Sequence, residues 1–420
     1  MIRYKYYFSN RLFFSYLSYF FILIGVSSCV RFRNVGLDDS SGGKAVGESG
    51  SFYEEQVSVG NESAKPLDAS QILELIDIRG VGDSGWVDRS AKPENVTGIP
   101  VQPMFGQAIK EIDPEKIIFA SDLSFINWEA VITQKCSFIR KSVSFAFYSH
   151  PENIIQAAER GFNLFGISNN HSGDCEKDEN GFERADAFNP SIRYIEKKLK
   201  TRIALAGAGE NFDDIQIFEK LIKDRKVTVA FGSISFFGWD IPKTNVVTVS
   251  RRGYDDLKVN RYLKKFDESN ADIKILSIHT QDGSNSTIEA EAFIAAKETG
   301  EKFIKYFRGN VVFGHGPHTW AGVKIVHRLD GTRGVLFSSL GNFVHQGLSI
   351  RKDNYLGRVL LDPNDNFTVK QVYVFPLVNK KTTISFYSDR NIIPAPISNF
   401  SWYKGAYQNG NLAFYFADFQ

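Results

Sequence analysis

The chain has 420 residues, enough for one large domain with extensions or for two medium domains. An apolar fraction of 43%, a charged fraction of 23% and a formal charge of +2 describe an ordinary globular protein, and no nucleic acid is expected among its partners. Its only cysteines, Cys29, Cys136 and Cys175, exclude a disulfide scaffold and a cysteine-rich zinc module, while 36 Phe and 17 Tyr foretell an aromatic core.

Residues 1–11 carry Arg3, Lys5 and Arg11 and no acid, and residues 12–26 (LFFSYLSYFFILIGV) are uncharged and apolar. Val26-Ser27-Ser28-Cys29 follows. A basic start, a short greasy stretch and small residues before a break describe an export signal over residues 1–28. The greasy stretch is shorter than the ~20 residues that span a bilayer. The cysteine after two small residues resembles the lipobox of bacterial lipoproteins, which implies cleavage before Cys29, its acylation and membrane anchoring of an exported envelope protein. The alternative is an uncleaved signal anchor; both put the body of the protein outside the cytoplasm.

Residues 29–70 read as a flexible tether, rich in Gly and Ser and poor in residues able to bury surface. A main domain is expected over 71–378. Its candidate strands are Ile72–Gly82, Lys116–Ala120, Phe162–Ser168, Lys226–Ser235, Ile273–His279, Val311–Gly314, Val323–His327 and Val335–Leu340. The candidate helices are Pro151–Arg160, Phe182–Leu199, Asp255–Phe266 and Ile288–Phe307. This alternation predicts an α/β architecture. The strand-rich stretch from Val323 to Phe375 suits a second sheet packed on the first, and residues 379–420 form an aromatic-rich extension without regular pattern.

Polar residues gather where the apolar runs end, and in open α/β sheets ligands sit beyond the carboxyl ends of the strands. The first run ends at Gly82-Asp83, and the next segment carries Asp122, Asn127 and Glu129. Those three either face a cation together or are a helix cap at Asp122 beside a solvated Glu129. The third cluster is Ser168-Asn169-Asn170-His171, with Asp174 beyond it. His279 ends the fourth run, Gly314-His315-Gly316-Pro317-His318 the fifth, and Ser338-Ser339-Leu340-Gly341-Asn342-Phe343 the sixth. Imidazoles on a Gly/Pro-bent loop are good ligands for zinc, iron or manganese. The other three histidines, His150, His327 and His345, lack such settings and read as structural.

The ordered set resembles the CapA family of capsule synthesis proteins, linked to poly-gamma-glutamate, within the calcineurin-like metallophosphoesterase superfamily. The resemblance runs from about Ile76 to Phe343. It implies a four-layer α-β-β-α metallophosphatase-like sandwich with two packed mixed β-sheets. It also implies two divalent metal ions (Mn, Fe or Zn) held by Asp83, Asp122 or Glu129, Asn170, His279, His315 and His318. His171 would serve as general acid, with Asn170 beside it in the catalytic group, and Asn127, Asp174 and Asn342 would meet substrate. The chain departs from the family pattern in three places. Trp128 stands where Leu is usual, Thr280-Gln281-Asp282-Gly283 replaces a stretch ending in Glu, and Gly316 replaces an imidazole.

Two functions follow as expectations. One is a dinuclear-metal hydrolase acting on an envelope polymer or phosphoester. The other is a non-catalytic assembly or export factor that grips anionic polymer, or capsule synthesis or export proteins, through a degenerate metal site. Cys136 and Cys175 either form a disulfide between two site loops or remain buried thiols.

Overall fold

A computed structural model describes residues 67–85, 105–110, 113–116, 118–134, 147–175, 183–185, 188–237, 243–244, 246–250, 256–280, 287–345, 351–379, 384–386, 401–406 and 413–418. The expected signal, the expected lipidation site Cys29, and Cys136 and Asp282 lie outside the described residues.

A short helix α1 (Ala69–Glu74) opens the described chain. Asp68 and Gln71 cap it reciprocally: Asp68 Oδ1 accepts from the Gln71 amide at 2.8 Å and Gln71 Oε1 from the Asp68 amide at 2.9 Å. The first strand therefore starts at Ile76 and not Ile72. The expected strand over Lys116–Ala120 is likewise not found among the described residues. The described residues of that stretch, 116 and 118–120, form no strand, and the strand that follows is Leu123–Trp128.

Among the described residues one sheet has ten strands. Its path runs β20 (Ser401–Ala406), β21 (Ala413–Asp418), β18 (Thr368–Asn379), β17 (Arg351–Asp362), β1 (Ile76–Gly85), β2 (Leu123–Trp128), β5 (Leu164–Gly166), β7 (Ala204–Ala206). Two more strands join off this path: β16 (Asn342–His345) lies parallel to the end of β1 and β19 (Ile384–Phe386) pairs β18. The neighbours β1, β2, β5 and β7 are parallel, and β17 and β18 are antiparallel. The C-terminal extension thus supplies edge strands to this sheet, where an irregular tail was expected.

The other sheet runs β11 (Thr248–Ser250), β9 (Arg225–Phe237), β12 (Ile273–Thr280), β13 (Val311–His315), β15 (Arg333–Phe337), β14 (Val323–His327), with β8 (Gln216–Ile222) antiparallel to β9. Among the described residues two two-stranded pairs complete the set, β3 (Val131–Ile132) with β4 (Tyr148–Ser149) and β6 (Glu183–Arg184) with β10 (Lys243–Thr244). Both large sheets are mixed, as expected.

Three apolar layers hold the sandwich. The central one joins Ile78, Phe125 and Leu164 of the first sheet to Phe231, Phe313 and Phe337 of the second, all fully buried. Phe125 and Phe313 stack across it at 4.7 Å with planes 3° apart. Helices α2 (Phe105–Lys110), α3 (Pro151–Glu159) and α4 (Phe188–Lys198) cover the first sheet's outer face through Phe105, Ile154 and Phe188. Helices α5 (Asp256–Glu268) and α6 (Thr287–Phe307) cover the second through Leu263, Phe266 and Phe303. The result is the expected four-layer α-β-β-α arrangement.

Near the start of the first sheet a buried ion cluster stands in place of apolar packing. Asp77 receives Arg358 Nη2 at 2.8 Å and Arg79 Nη2 at 2.7 Å. Burial opposes ionisation of Asp77, but Arg79 and then Arg358 outweigh it and hold the carboxyl below its usual range. Removing one member of such a set leaves buried charge unpaired, so Asp77→Ala should cost about 3–5 kcal/mol in urea unfolding at neutral pH. A depressed folded pKa makes this contribution complete above the ordinary value of 3.8 and lost as pH falls through the folded value. The variant should therefore lack that part of the wild-type acid limb, and parallel limbs would contradict the assignment.

Candidate metal centre

The parallel strands deliver their last residues to one place. Asp83 stands near the end of β1, His279 next to the last residue of β12, and His315 at the end of β13. Register sets them side by side: His279 pairs His315 across the second sheet, and Asp83 pairs Asn127 and Asn342 in the first. Asp83 Oδ1 lies 3.7 Å from His279 Nδ1 and 3.5 Å from His315 Nδ1, and the two Nδ1 atoms are 2.9 Å apart. Asp83 Oδ2 lies 3.0 Å from His318 Nδ1, which is 3.9 Å from Glu129 Oε2. These are two groups of potential ligands, Asp83–His279–His315 and Asp83–Glu129–His318, that share Asp83.

Orientation comes from the surrounding side chains. Ser277 Oγ sits 2.8 Å from His315 Nε2, which leaves Nδ1 turned to Asp83. Asn127 Nδ2 donates to Asp83 Oδ1 at 2.8 Å, and the Gly316 amide donates to Oδ2 at 2.9 Å. Asn342 Oδ1 lies 3.0 Å from His318 Nδ1. Asn127 and Asn342 are thus buried, where they support Asp83 and His318. Asp174 is likewise buried behind His171, with Oδ2 2.6 Å from Nδ1. His171 Nε2 is left facing Glu129 Oε1 at 4.0 Å. Asn170 sits half-buried in the same turn.

Asp122 is at the wrong end of the sheet. It precedes β2, where its Oδ2 accepts from the Asp77 amide at 2.8 Å. Glu129 follows the same strand, and seven steps at ~3.3 Å put the two roughly 20 Å apart. Of the alternatives Asp122 and Glu129, only Glu129 is brought to Asp83. His345, read as structural, is also at the site: it is buried, with Nε2 3.2 Å from the Glu129 carbonyl oxygen. Its signal was its place three residues past Asn342 on a strand that pairs β1. Of the other two, His150 caps α3 by accepting from the Glu152 amide at 3.2 Å, and His327 is exposed at the end of β14.

The loop after β13 is locally constrained. His318 adopts φ 60°, uncommon for a residue with a side chain, and Gly316 adopts φ 108°. A Cβ on Gly316 would lie 1.7 Å from the Thr280 carbonyl oxygen, so the position admits only glycine here. A Cβ on Gly82 would lie 1.8 Å from the Gly341 carbonyl oxygen, whose acceptance from the Asp83 amide at 2.9 Å draws β1 and the β16 turn together.

The two carboxyls of the site are driven in opposite directions. Burial opposes ionisation of Asp83, but contacts to His315, His318 and His279 hold its carboxyl well below the usual range. Burial, and then the nearby Asp83 charge, push Glu129 well above it. Burial lowers His279 and His315, and lowers His345 to about 3. Burial also opposes protonation of His318, but Glu129 and Asp83 raise it to about 9. Two adjacent carboxylates cannot both ionise without more positive charge. Glu129 Oε2 is buried without a hydrogen-bond partner.

These residues fit a metal. Ligand atoms about 2.0–2.2 Å from a tetrahedral ion lie roughly 3.3–3.6 Å from one another, close to the spacing of Asp83 with His279 and His315. Mixed imidazole and carboxylate donors suit zinc, iron or manganese. Most of the donors are sealed: Asp83, Glu129, His279 and His315 are at most 1% exposed, while the His318 and His171 side chains keep 25% and 15%. A ligand must therefore arrive on the His171–His318 side.

The family model described as "Bacterial capsule synthesis protein PGA_cap" matches residues 81–347, more than half of the chain and a span that contains the whole site. No curated protein matches. Among solved structures the chain is similar to a hypothetical protein from Thermus thermophilus, at 12% identity and TM-score 0.34, over 74% of this chain and 98% of that one. It is also similar to PhoD, at 10% identity and TM-score 0.34, over 77% of this chain and 73% of that one.

Proposed function

The chain belongs to the bacterial capsule synthesis protein PGA_cap family, and from that premise we propose that it is an envelope-anchored, metal-dependent hydrolase acting on a capsule-type polymer or a phosphoester. Family membership links it to capsule and poly-gamma-glutamate synthesis. The observation that carries the hydrolase reading is the sharing of Asp83: each of its oxygens faces a separate group of donors. Asp83, His279 and His315 would hold one ion, and Asp83, Glu129 and His318 a second. Such a pair supplies an activated water and a clamp for the two oxygens of a displacement.

The chain's own residues do the rest. Ser277, Asn127 and the Gly316 amide hold the donors in place, so binding requires little rearrangement. His171, on the open side, presents Nε2 while Asp174 holds Nδ1, a geometry suited to protonating a leaving oxygen. The exported, lipid-anchored location through Cys29 and the contact with anionic polymer and capsule synthesis or export proteins belong to the same reading.

Elemental analysis of purified protein, paired with turnover of a generic phosphodiester and of poly-gamma-glutamate, tests it. About two transition-metal ions per chain and turnover lost on chelation are expected. A metal content near zero would sink the reading, and two ions without turnover would favour the polymer-gripping role.

A further inference from the structure

We propose that the open edge of β7 and the basic rim beside it form a docking groove for an acidic polyamide chain. The groove is separate from the metal centre and takes from the hydrolase reading only the choice of polymer used as a probe. It lies between α4, β7 and the start of β8, with a volume of about 670 Å³, within the ~300–1,000 Å³ of ligand clefts. Its floor is apolar: Ile192 and Leu199 on one side and Ile203 and Leu205 on the other, all half-buried.

Among the described residues β7 is the last strand on its sheet's path, with β5 as its neighbour. The Ala204 amide donates to the Asn163 carbonyl at 2.8 Å, and the Ala206 carbonyl accepts from the Ile167 amide at 3.0 Å. Both alanines thus pair toward β5. Backbone groups alternate between the two sides of a strand, so the Leu205 N–H and C=O turn to the open side, where Leu205 lines the groove. An extended chain with amides of its own can add there as one more strand.

Charge selects what kind of chain that is. Arg193, Lys200 and Arg202 line the groove against the acids Glu196 and Glu210, and Lys197 and Lys198 stand beside it in the last turn of α4. All of these cations are exposed. Lys198 lies over the Tyr194 ring and Arg202 over that of Phe218. Among the described residues Arg193, Lys197 and Lys200 have no ion-pair partner. The rim therefore keeps positive charge for a ligand. A polyamide that carries carboxylates answers both features, with amides for the edge and anions for the rim. The groove also leads to the metal centre. β7 is parallel to β5, β2 and β1 and lies three strand spacings, roughly 14 Å, from β1, which carries Asp83. A chain held along β7 runs toward the end of the sheet where His171 and Asp83 stand.

The test is titration of the full chain with fluorescent poly-gamma-glutamate, read by anisotropy, beside polyacrylate, which has the carboxylates without the amides. Binding should weaken as salt is raised, and polyacrylate should bind at least ~10-fold more weakly. Arg193→Glu combined with Lys200→Glu should weaken poly-gamma-glutamate binding at least ~10-fold, with wild-type metal content and urea unfolding. At saturating polymer the Leu205 amide of the wild-type chain should exchange at least ~10-fold more slowly. Absence of binding, or polyacrylate bound as tightly, overturns the proposal. Polymer held at the metal centre alone would leave the double variant and the Leu205 amide unaffected, and that result overturns it too. If the double variant fails to fold, the polyacrylate comparison and the wild-type exchange still decide. None of these readouts needs turnover: polymer bound in the groove without turnover overturns the hydrolase reading alone, and turnover of a generic phosphodiester without polymer binding overturns the groove alone.

Discussion

Asp83→Asn is expected to empty both halves of the metal centre at once. The carboxylate is the single residue common to the two donor groups, with one oxygen toward His279 and His315 and the other toward His318. It is fully buried, and both oxygens accept hydrogen bonds, from Asn127 Nδ2 and the Gly316 amide. An amide in its place removes the negative charge and turns an NH2 group toward one set of donors. Partners that only orient ligands are worth about 10–100-fold in affinity or activity. A ligand serving both ions should exceed that range, with metal content falling from about two per chain to near none and turnover falling in step. By contrast, His279→Ala should remove one ligand, from the first group only. Elemental analysis of the two variants separates the cases, and an Asp83→Asn protein that retains one ion would show that the groups do not depend on a shared carboxylate.

His171→Ala should do the opposite: chemistry is lost and metal retained. His171 belongs to neither donor group, yet its Nε2 faces Glu129 and its side chain is one of the two with solvent exposure. A positioned proton donor contributes about 10²–10⁴-fold. The expected outcome is a fall in kcat of that size, wild-type metal content and unchanged unfolding by urea. Asp174→Asn should reproduce part of the loss through a misaimed imidazole. If His171→Ala turns over a phosphodiester with a good leaving group at the wild-type rate and a poor one slowly, the residue acts on the leaving oxygen. Equal losses on both would assign it to binding.

Much of the fold was readable from local pattern. The runs Ile273–His279, Val311–Gly314 and Val323–His327 gave strands within a residue or two of their observed limits, because continuous apolar runs bounded by polar turns leave little choice. The errors share a cause. Ile72–Leu75 reads as apolar strand until the Asp68–Gln71 cap is recognised, and Phe119–Asn127 contains apolar residues on both sides of Asp122 without marking where pairing begins. The start of β2 is set by its pairing with β1, where Ile78 sits beside Leu123, and that partner is 45 residues away.

What could be read along the chain was the chemistry on offer: histidines, carboxylates and amides at the ends of apolar runs, in an order that placed the chain in its family. Which of them meet was left to the folded arrangement. Asp122 and Glu129 are equally acidic and seven residues apart, yet an extended strand points one to each end of a sheet. His345 and Ser277 look ordinary until parallel register sets one beside Glu129 and the other beside His315. Local propensity acts over a few residues, whereas the site is assembled by hydrogen-bonded neighbours contributed from as far apart in the chain as Asp83 and His318.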